Sequence, residues 1–185
     1  QSGNTRILQL MNRTYTREWY ISRVKRIREI MPDCGLSTDI ITGFCTETEE
    51  DHKDTLSLME LIQFDMAYMY AYSERPATLA ERRYTDDVPT DVKQRRLEEV
   101  IKVLKAGSTV SYLNDIGKTF EVLIENESKR SSDDWAGRNS QNKVVVFPKE
   151  NYDLKKGDYV LVEISSATSG TIMGKIVRIH PEMKF

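Results

Sequence analysis

Along the first half of the chain, apolar positions recur at helical spacing and then at strand spacing. Tyr20, Val24, Ile27 and Met31 follow one another at intervals of four, three and four, which predicts a helix with one buried stripe beneath a face rich in Arg and Lys. Thr16 is placed to cap that helix and Pro32 to stop it. After a turn at Asp33 to Gly35, the run Leu36 to Gly43 is β-prone. Thr48 and Asp51 then have capping-box spacing, and the acidic stretch around them suits the positive end of a second helix reaching about Ile62. Met66 to Tyr72 is an apolar run of strand length, broken by Ser73-Glu74-Arg75-Pro76-Ala77. Strand, loop, helix, strand predicts a parallel sheet with helical crossovers. In such sheets the loops after strand C-termini converge on one face, so the loops at Gly43 to Glu47 and Tyr72 to Thr78 are the first places to look for chemistry.

The pattern changes in the second half. Asp86 to Thr90 is a polar break, and a connecting helix runs from Asp91 through Leu97, Ile101 and Leu104. From about Gly117 the period becomes two, with Phe120, Val122 and Ile124 on one face. Val144 to Phe147, Tyr159 to Ile164 and Thr171 to Ile179 are further strands between turn-rich segments. Four or five short antiparallel strands in this length predict a small closed barrel of OB-like type, because closure removes the edges of so small a sheet. The predicted divisions are 1–84, a connecting helix over 85–116, and 117–185, with the domain boundary near Leu113 to Gly117.

Composition narrows the classes of function. With 39% hydrophobic and 30% charged residues, the 185-residue chain can bury ordinary cores. Lys plus Arg total 27 against 29 Asp plus Glu, which excludes a polybasic chain and makes any RNA contact local. No apolar run nears the length of a membrane span, so a soluble, cytosolic chain with no membrane partner is expected. Cys34 and Cys45 have no His at ligand spacing, so no zinc or iron–sulfur site assembles from this chain alone, and buried or incidental thiols are expected. His52 and His180 read as helix-surface and terminal residues, and the Met and Tyr content of Asp65 to Tyr72 reads as core.

Among polar residues, Asp39, Glu47 and Arg75 fall at or near strand ends. A carboxylate there can accept hydrogen bonds from ribose hydroxyls, and a guanidinium can hold a carboxylate or phosphate; for Asp39 and Glu47, spacing alone favours a capping or loop-bracing role. In the barrel, Lys129-Arg130 and Arg138-Asn139 flank Trp135 within one long inter-strand loop. Cations beside a flat side chain are the usual grip on single-stranded RNA.

Several stretches then match a known pattern in consistent order: Gln1-Ser2-Gly3, Met11-Asn12-Arg13, Tyr15-Thr16-Arg17, Thr38 to Phe44, Glu47-Thr48-Glu49, Tyr72 to Pro76, and the Ser-Lys-Arg, Gly-Arg-Asn and Asn-Lys-Val-Val-Val-Phe words. Together they resemble the radical-SAM methylthiotransferases. The Met-Asn-Arg-x-Tyr-Thr-Arg-Glu-Trp-Tyr wording is most similar to the branch that makes 2-methylthio-isopentenyladenosine beside the tRNA anticodon. The resemblance implies an α/β, partial TIM-like radical-SAM barrel followed by an all-β, OB-like TRAM barrel. It implies S-adenosylmethionine and two 4Fe-4S clusters as cofactors, and the anticodon stem-loop of tRNA as partner. The cluster cysteines are expected upstream of Gln1, where no start methionine stands, so the piece by itself is expected to be inactive and prone to self-association.

By the same resemblance, Gln1 and Asp39 would hydrogen-bond the ribose of S-adenosylmethionine, Arg13 would pair with its carboxylate, and Ile41 would pack on its adenine. Tyr72, Ser73 and Arg75 would line the same face. Lys129, Arg130, Arg138 and Asn139 would contact RNA, with Asn142 and Lys143 behind them. The implied chemistry uses one S-adenosylmethionine as methyl donor to sulfur and another as the source of a radical that removes hydrogen from C2 of the prenylated adenine. Many members carry Pro-Gly where this chain has Cys45-Thr46, and Gly where it has Ala77. Alternatives are a methylthiotransferase for threonylcarbamoyladenosine tRNA or a ribosomal protein, a stand-alone RNA-binding module, and a non-radical barrel enzyme.

Overall fold

Side-chain caps mark where the helices of the first half begin. In the computed structural model, which describes residues 1–150 and 152–179, Asn4 accepts the Ile7 N–H at 3.1 Å at the head of α1 (Thr5–Leu10). Thr16 does the same for Trp19 at 3.2 Å at the head of α2 (Arg17–Ile30). Thr48 and Asp51 form the reciprocal capping box of α3 (Glu49–Ile62), and Thr78 caps the short α4 (Leu79–Arg83). Each cap satisfies an N–H that the first helical turn leaves without a partner. The capping box and both long helices agree with the sequence expectation, whereas α1 and α4 were not anticipated. Met31 ends α2 exposed rather than buried, because the helix stops at Ile30.

Strands β1 (Ser37–Thr42) and β2 (Met66–Ala71) pair in parallel, with Asp39 opposite Tyr68 and Ile41 opposite Tyr70. Alternation along a strand sends neighbours to opposite faces. Ile40 faces the helices and packs in a core with Val24, Leu58, Met59, Ile62, Phe64 and Val100. Asp39, Ile41, Tyr68 and Tyr70 share the other face, where both tyrosines are exposed; the expectation that the Tyr content of this run is core is corrected on that point. Val100 belongs to α5 (Thr90–Leu113).

In the second half, five strands close into a barrel in the order β3-β4-β5-β7-β6. They are β3 (Thr119–Glu127), β4 (Asp134–Asn139), β5 (Val144–Pro148), β6 (Tyr159–Ala167) and β7 (Ile172–Ile179). The core is one inward face: Val122, Ile124, Val145, Phe147, Val160, Val162, Ile164, Ile172 and Ile176, with Tyr112 from the end of α5. Closure pairs β5 with β7 in parallel, so the sheet is not wholly antiparallel as expected. The sequence reading also took β4 for loop. Its Gly137 sits where an added Cβ would lie 2.2 Å from the Leu123 carbonyl oxygen, so the close β3–β4 approach requires glycine in a segment that otherwise reads as irregular.

The chain divides into two units, Gln1–Gly107 and Ser108–Phe185. The division lies inside α5, earlier than the predicted Leu113 to Gly117, because Tyr112 belongs to the barrel core. Among the described residues no helix is long and apolar enough to cross a membrane. His180 lies outside the described residues.

Thr46 and Ala77, the two positions noted as departing from glycine, both hold left-handed backbone, with φ of 64° and 65°. An L-residue there is strained by its Cβ. Ala77→Gly keeps the N–H that donates to Glu81 at 3.0 Å and is expected to stabilise the first unit by about 1 kcal/mol in urea unfolding. A lower unfolding midpoint would contradict this.

Candidate functional site

At the C-terminal ends of β1 and β2, a hollow of about 520 Å³ opens on the face that carries Asp39 and Ile41. It is lined by Gln1, Asp39, Ile41, Tyr70, Ala71, Tyr72, Ser73, Arg75, Thr78 and Ala80. Six of the seven residues expected at a cofactor wall therefore meet in one place. The seventh, Arg13, is exposed and donates to the Gln1 side-chain oxygen, and the Gln1 carbonyl accepts the Ile41 N–H at 3.0 Å. Sequence reasoning missed Tyr70, Ala71, Thr78 and Ala80; the strand register and the α4 cap bring them here.

The loop after β1 is fixed from beneath. Gly43 has a φ of 69°, and a Cβ there would lie 2.3 Å from the Lys93 stem, so α5 packs directly under the turn. Glu47 turns inward rather than toward the hollow. Its carboxylate accepts the Gly43 N–H at 2.5 Å and an Arg96 N–H at 2.9 Å, and Arg96 also donates to the Glu47 carbonyl at 3.0 Å. The bracing alternative is thus the observed one for Glu47. Burial raises the Glu47 carboxyl above its usual range, against the opposing pull of the Gly43 N–H and Arg96.

His52, expected at a helix surface, is instead buried, with Nε2 at 2.7 Å from a Glu99 carboxylate oxygen. Burial lowers its pKa, opposed by Glu99. Cys45 is buried against Ile7 and Phe44 and its thiol is raised by burial, while Cys34 is exposed. Tyr72 packs edge-on to Phe44 at 4.8 Å with the Lys93 ammonium 5.2 Å from its ring centre. Burial, then the adjacent Cys45 thiol, pushes the Tyr72 hydroxyl up to about 12, so it stays protonated as a donor.

On the barrel, the expected RNA residues fall into three situations. Lys129 and Arg130 are exposed in the loop joining β3 to β4. Arg138 and Asn142 lie at the opposite end of β4, where Arg138 donates to the Asn142 carbonyl at 2.8 Å and faces Glu125 at 3.4 Å. The single cationic loop expected from the sequence is therefore two separate places, with Trp135 on the strand between them.

Asn139 and Lys143 are corrected: both are buried, at 5% and 3% exposure. Lys143 reaches Asp115 at 2.6 Å and Ser111 at 2.8 Å, and the Asn139 side chain accepts the Lys143 backbone N–H at 2.9 Å. A buried ammonium is tolerated only with such partners, and they leave neither residue to face RNA. The sequence reading missed Lys149, whose ammonium lies 4.7 Å from the Trp135 ring centre and 2.6 Å from Glu127. The strand register that sets Trp135 opposite Phe147 explains it.

Residues 114–177 match the family model of the TRAM domain. Curated relatives cover nearly the whole chain. The tRNA-2-methylthio-N(6)-dimethylallyladenosine synthase of Amoebophilus asiaticus is 58% identical over 95% of this chain and 36% of that protein. The protein of the same description from Phocaeicola vulgatus is 54% identical over 96% of this chain and 38% of its own length. That from Christiangramia forsetii is 52% identical over 95% and 36%. The chain thus spans a little over a third of the length of these relatives. Among solved structures, coproporphyrinogen III oxidase from Escherichia coli, described as a radical SAM enzyme, superposes with a TM-score of 0.50 at 18% identity, over 76% of this chain and 39% of that one. That likeness is one of fold. Across nearly its whole length, at more than one-half identity, the chain is thus similar to the C-terminal part of the tRNA-2-methylthio-N(6)-dimethylallyladenosine synthases, and its second half carries the TRAM match.

Proposed function

We propose that the protein acts in methylthiolation of prenylated adenosine in tRNA, this chain supplying one wall of the S-adenosylmethionine site and the domain that grips the RNA. The observation that carries the reading is the hollow in which Gln1, Asp39, Ile41, Tyr72, Ser73 and Arg75 converge.

The donor set fits S-adenosylmethionine. The Asp39 carboxylate and Gln1 amide suit ribose hydroxyls, Ile41 and the tyrosine rings suit an uncharged purine, and Arg13 and Arg75 suit a carboxylate. When bound, this cofactor supplies the methyl group and the radical reactivity that the inert C2 position of adenine requires. The chain's own share is positioning: Ile41 and Tyr70 exclude water from one face, and the Gly43–Glu47 brace holds the strand end still. An iron–sulfur cluster finds no such fit, since no group of three or more His, Cys, Asp or Glu is placed to hold a metal among the described residues. On the barrel, the exposed Lys129 and Arg130 suit RNA phosphates, with Trp135 and Lys149 beyond them; the anticodon stem-loop is the target we propose.

The test is mass spectrometry of tRNA nucleosides from cells lacking the gene. Loss of the 2-methylthio mark with accumulation of isopentenyladenosine is expected. An unchanged nucleoside profile would reject the reading.

A further inference from the structure

We infer that the outer face of α2 is a second RNA contact, independent of the TRAM barrel, which receives an unpaired nucleotide and its phosphates close to the cofactor hollow. The inference rests on the tRNA reading above.

The observations begin with spacing. Trp19, Arg23, Arg26 and Ile30 fall on one stripe of the helix, opposite the side that buries Val24. A tryptophan 48% exposed and an isoleucine 62% exposed on one helix face are unusual in a polar surface. The Trp19 ring is held in a group, with the Tyr15 ring centre 5.8 Å away and tilted by 35°, and the Arg23 guanidinium carbon 5.0 Å from its own centre. A half-exposed ring braced by such neighbours presents flat surface at little further entropic cost.

Charge selects the partner. Two other cations of the same helix are used internally: Arg17 donates to the Gly3 carbonyl at 2.8 Å, and Arg28 to the Ile62 carbonyl. Arg23 and Arg26 are turned outward instead. The stripe itself holds no carboxylate; beside it on the helix are Glu18 and Glu29, the latter bonded to Arg26 at 2.9 Å. An exposed tryptophan ring flanked by guanidinium groups, in a chain of net charge −2, complements a polyanion with bases to stack. An acidic or apolar protein surface would supply the charge or the apolar area but not both.

Location agrees. Tyr15 borders a small internal gap shared with Gln1, and Gln1 lines the hollow. Tyr15, the neighbour of Trp19, is therefore one side chain away from the site where the modified base must arrive.

The experiment measures affinity of the full chain for an anticodon stem-loop RNA as a function of salt. Trp19→Ala is expected to weaken binding about tenfold, the usual effect of losing one stacked base. Arg23→Gln with Arg26→Gln is expected to flatten the slope of log affinity against log salt by about 0.7 for each phosphate left without its guanidinium. All three residues are exposed, and circular dichroism checks that the variants fold. If these variants bind like the parent while Lys129→Ala with Arg130→Ala weakens binding, the inference fails and the tRNA reading stands. A parent chain that ignores the RNA at low salt overturns both. Weakening by Trp19→Ala with an unaltered slope in the arginine variant shows that Arg23 and Arg26 hold no phosphate and overturns the two-part contact inferred here.

Discussion

Replacing Arg96 with Met is expected to lower the stability of the first unit by about 3–5 kcal/mol, the range seen when one partner of a buried ion pair is removed. The side chains of Arg96 and Glu47 are 4% and 1% exposed. Arg96 neutralises Glu47, donates to the Glu47 carbonyl, and reaches Glu49 at 2.7 Å. Without it, the Glu47 carboxylate keeps one donor, the backbone N–H of Gly43. Burial already raises the Glu47 carboxyl, and loss of the guanidinium raises it further. A carboxyl whose folded pKa lies above its unfolded value stabilises the fold below the unfolded value and loses that contribution as pH rises through the folded one. The deficit in Arg96→Met is therefore expected to be larger at about pH 8 than at about pH 5. Adding Glu47→Gln, which removes the stranded charge, should restore much of the loss. Urea unfolding at the two pH values reads both effects, and a loss below about 1 kcal/mol would show that the pair behaves as a surface bridge and does not brace the loop.

The local chemistry of the first half was legible because it is short-range. Thr16, and Thr48 with Asp51, announce helix starts through contacts only three residues long, and the period of the apolar positions separates strand from helix. What was not legible depends on distant partners. Strand β4 contains Gly137 and few β-formers, and its conformation follows from pairing with β3 and β5. The burial of Lys143 requires Asp115, which lies 28 positions earlier and reaches it from the segment after α5. His52 looks like a surface residue on its own helix and is covered by Glu99 of α5. The hollow itself was only partly legible: resemblance named Asp39, Ile41 and the Tyr72–Arg75 segment, whereas Tyr70, Thr78 and Ala80 join through the register of β1 on β2 and the turn into α4.

If the strand-end hollow is a wall of the S-adenosylmethionine site, as proposed above, substitution of Asp39 weakens cofactor binding. Asp39 and Ile41 are two positions apart on one face of β1, with Asp39 opposite Tyr68 and Ile41 opposite Tyr70. They sit away from the helix-facing core that contains Ile40. Changing them alters the hollow without opening that core. A charged hydrogen bond to a ribose hydroxyl is worth about 2 kcal/mol, which corresponds to a rise of roughly 30-fold in KM for S-adenosylmethionine. Ile41→Asp places a charge against the purine and should act in the same direction. Lys129→Ala with Arg130→Ala should instead raise the KM for tRNA and leave that for S-adenosylmethionine unchanged.

The direct measurement is steady-state methylthiolation by the full-length protein with S-adenosylmethionine varied at saturating tRNA. A KM raised about 30-fold by Asp39→Ala is expected, with kcat altered far less. Unchanged KM values in both Asp39→Ala and Ile41→Asp would contradict it.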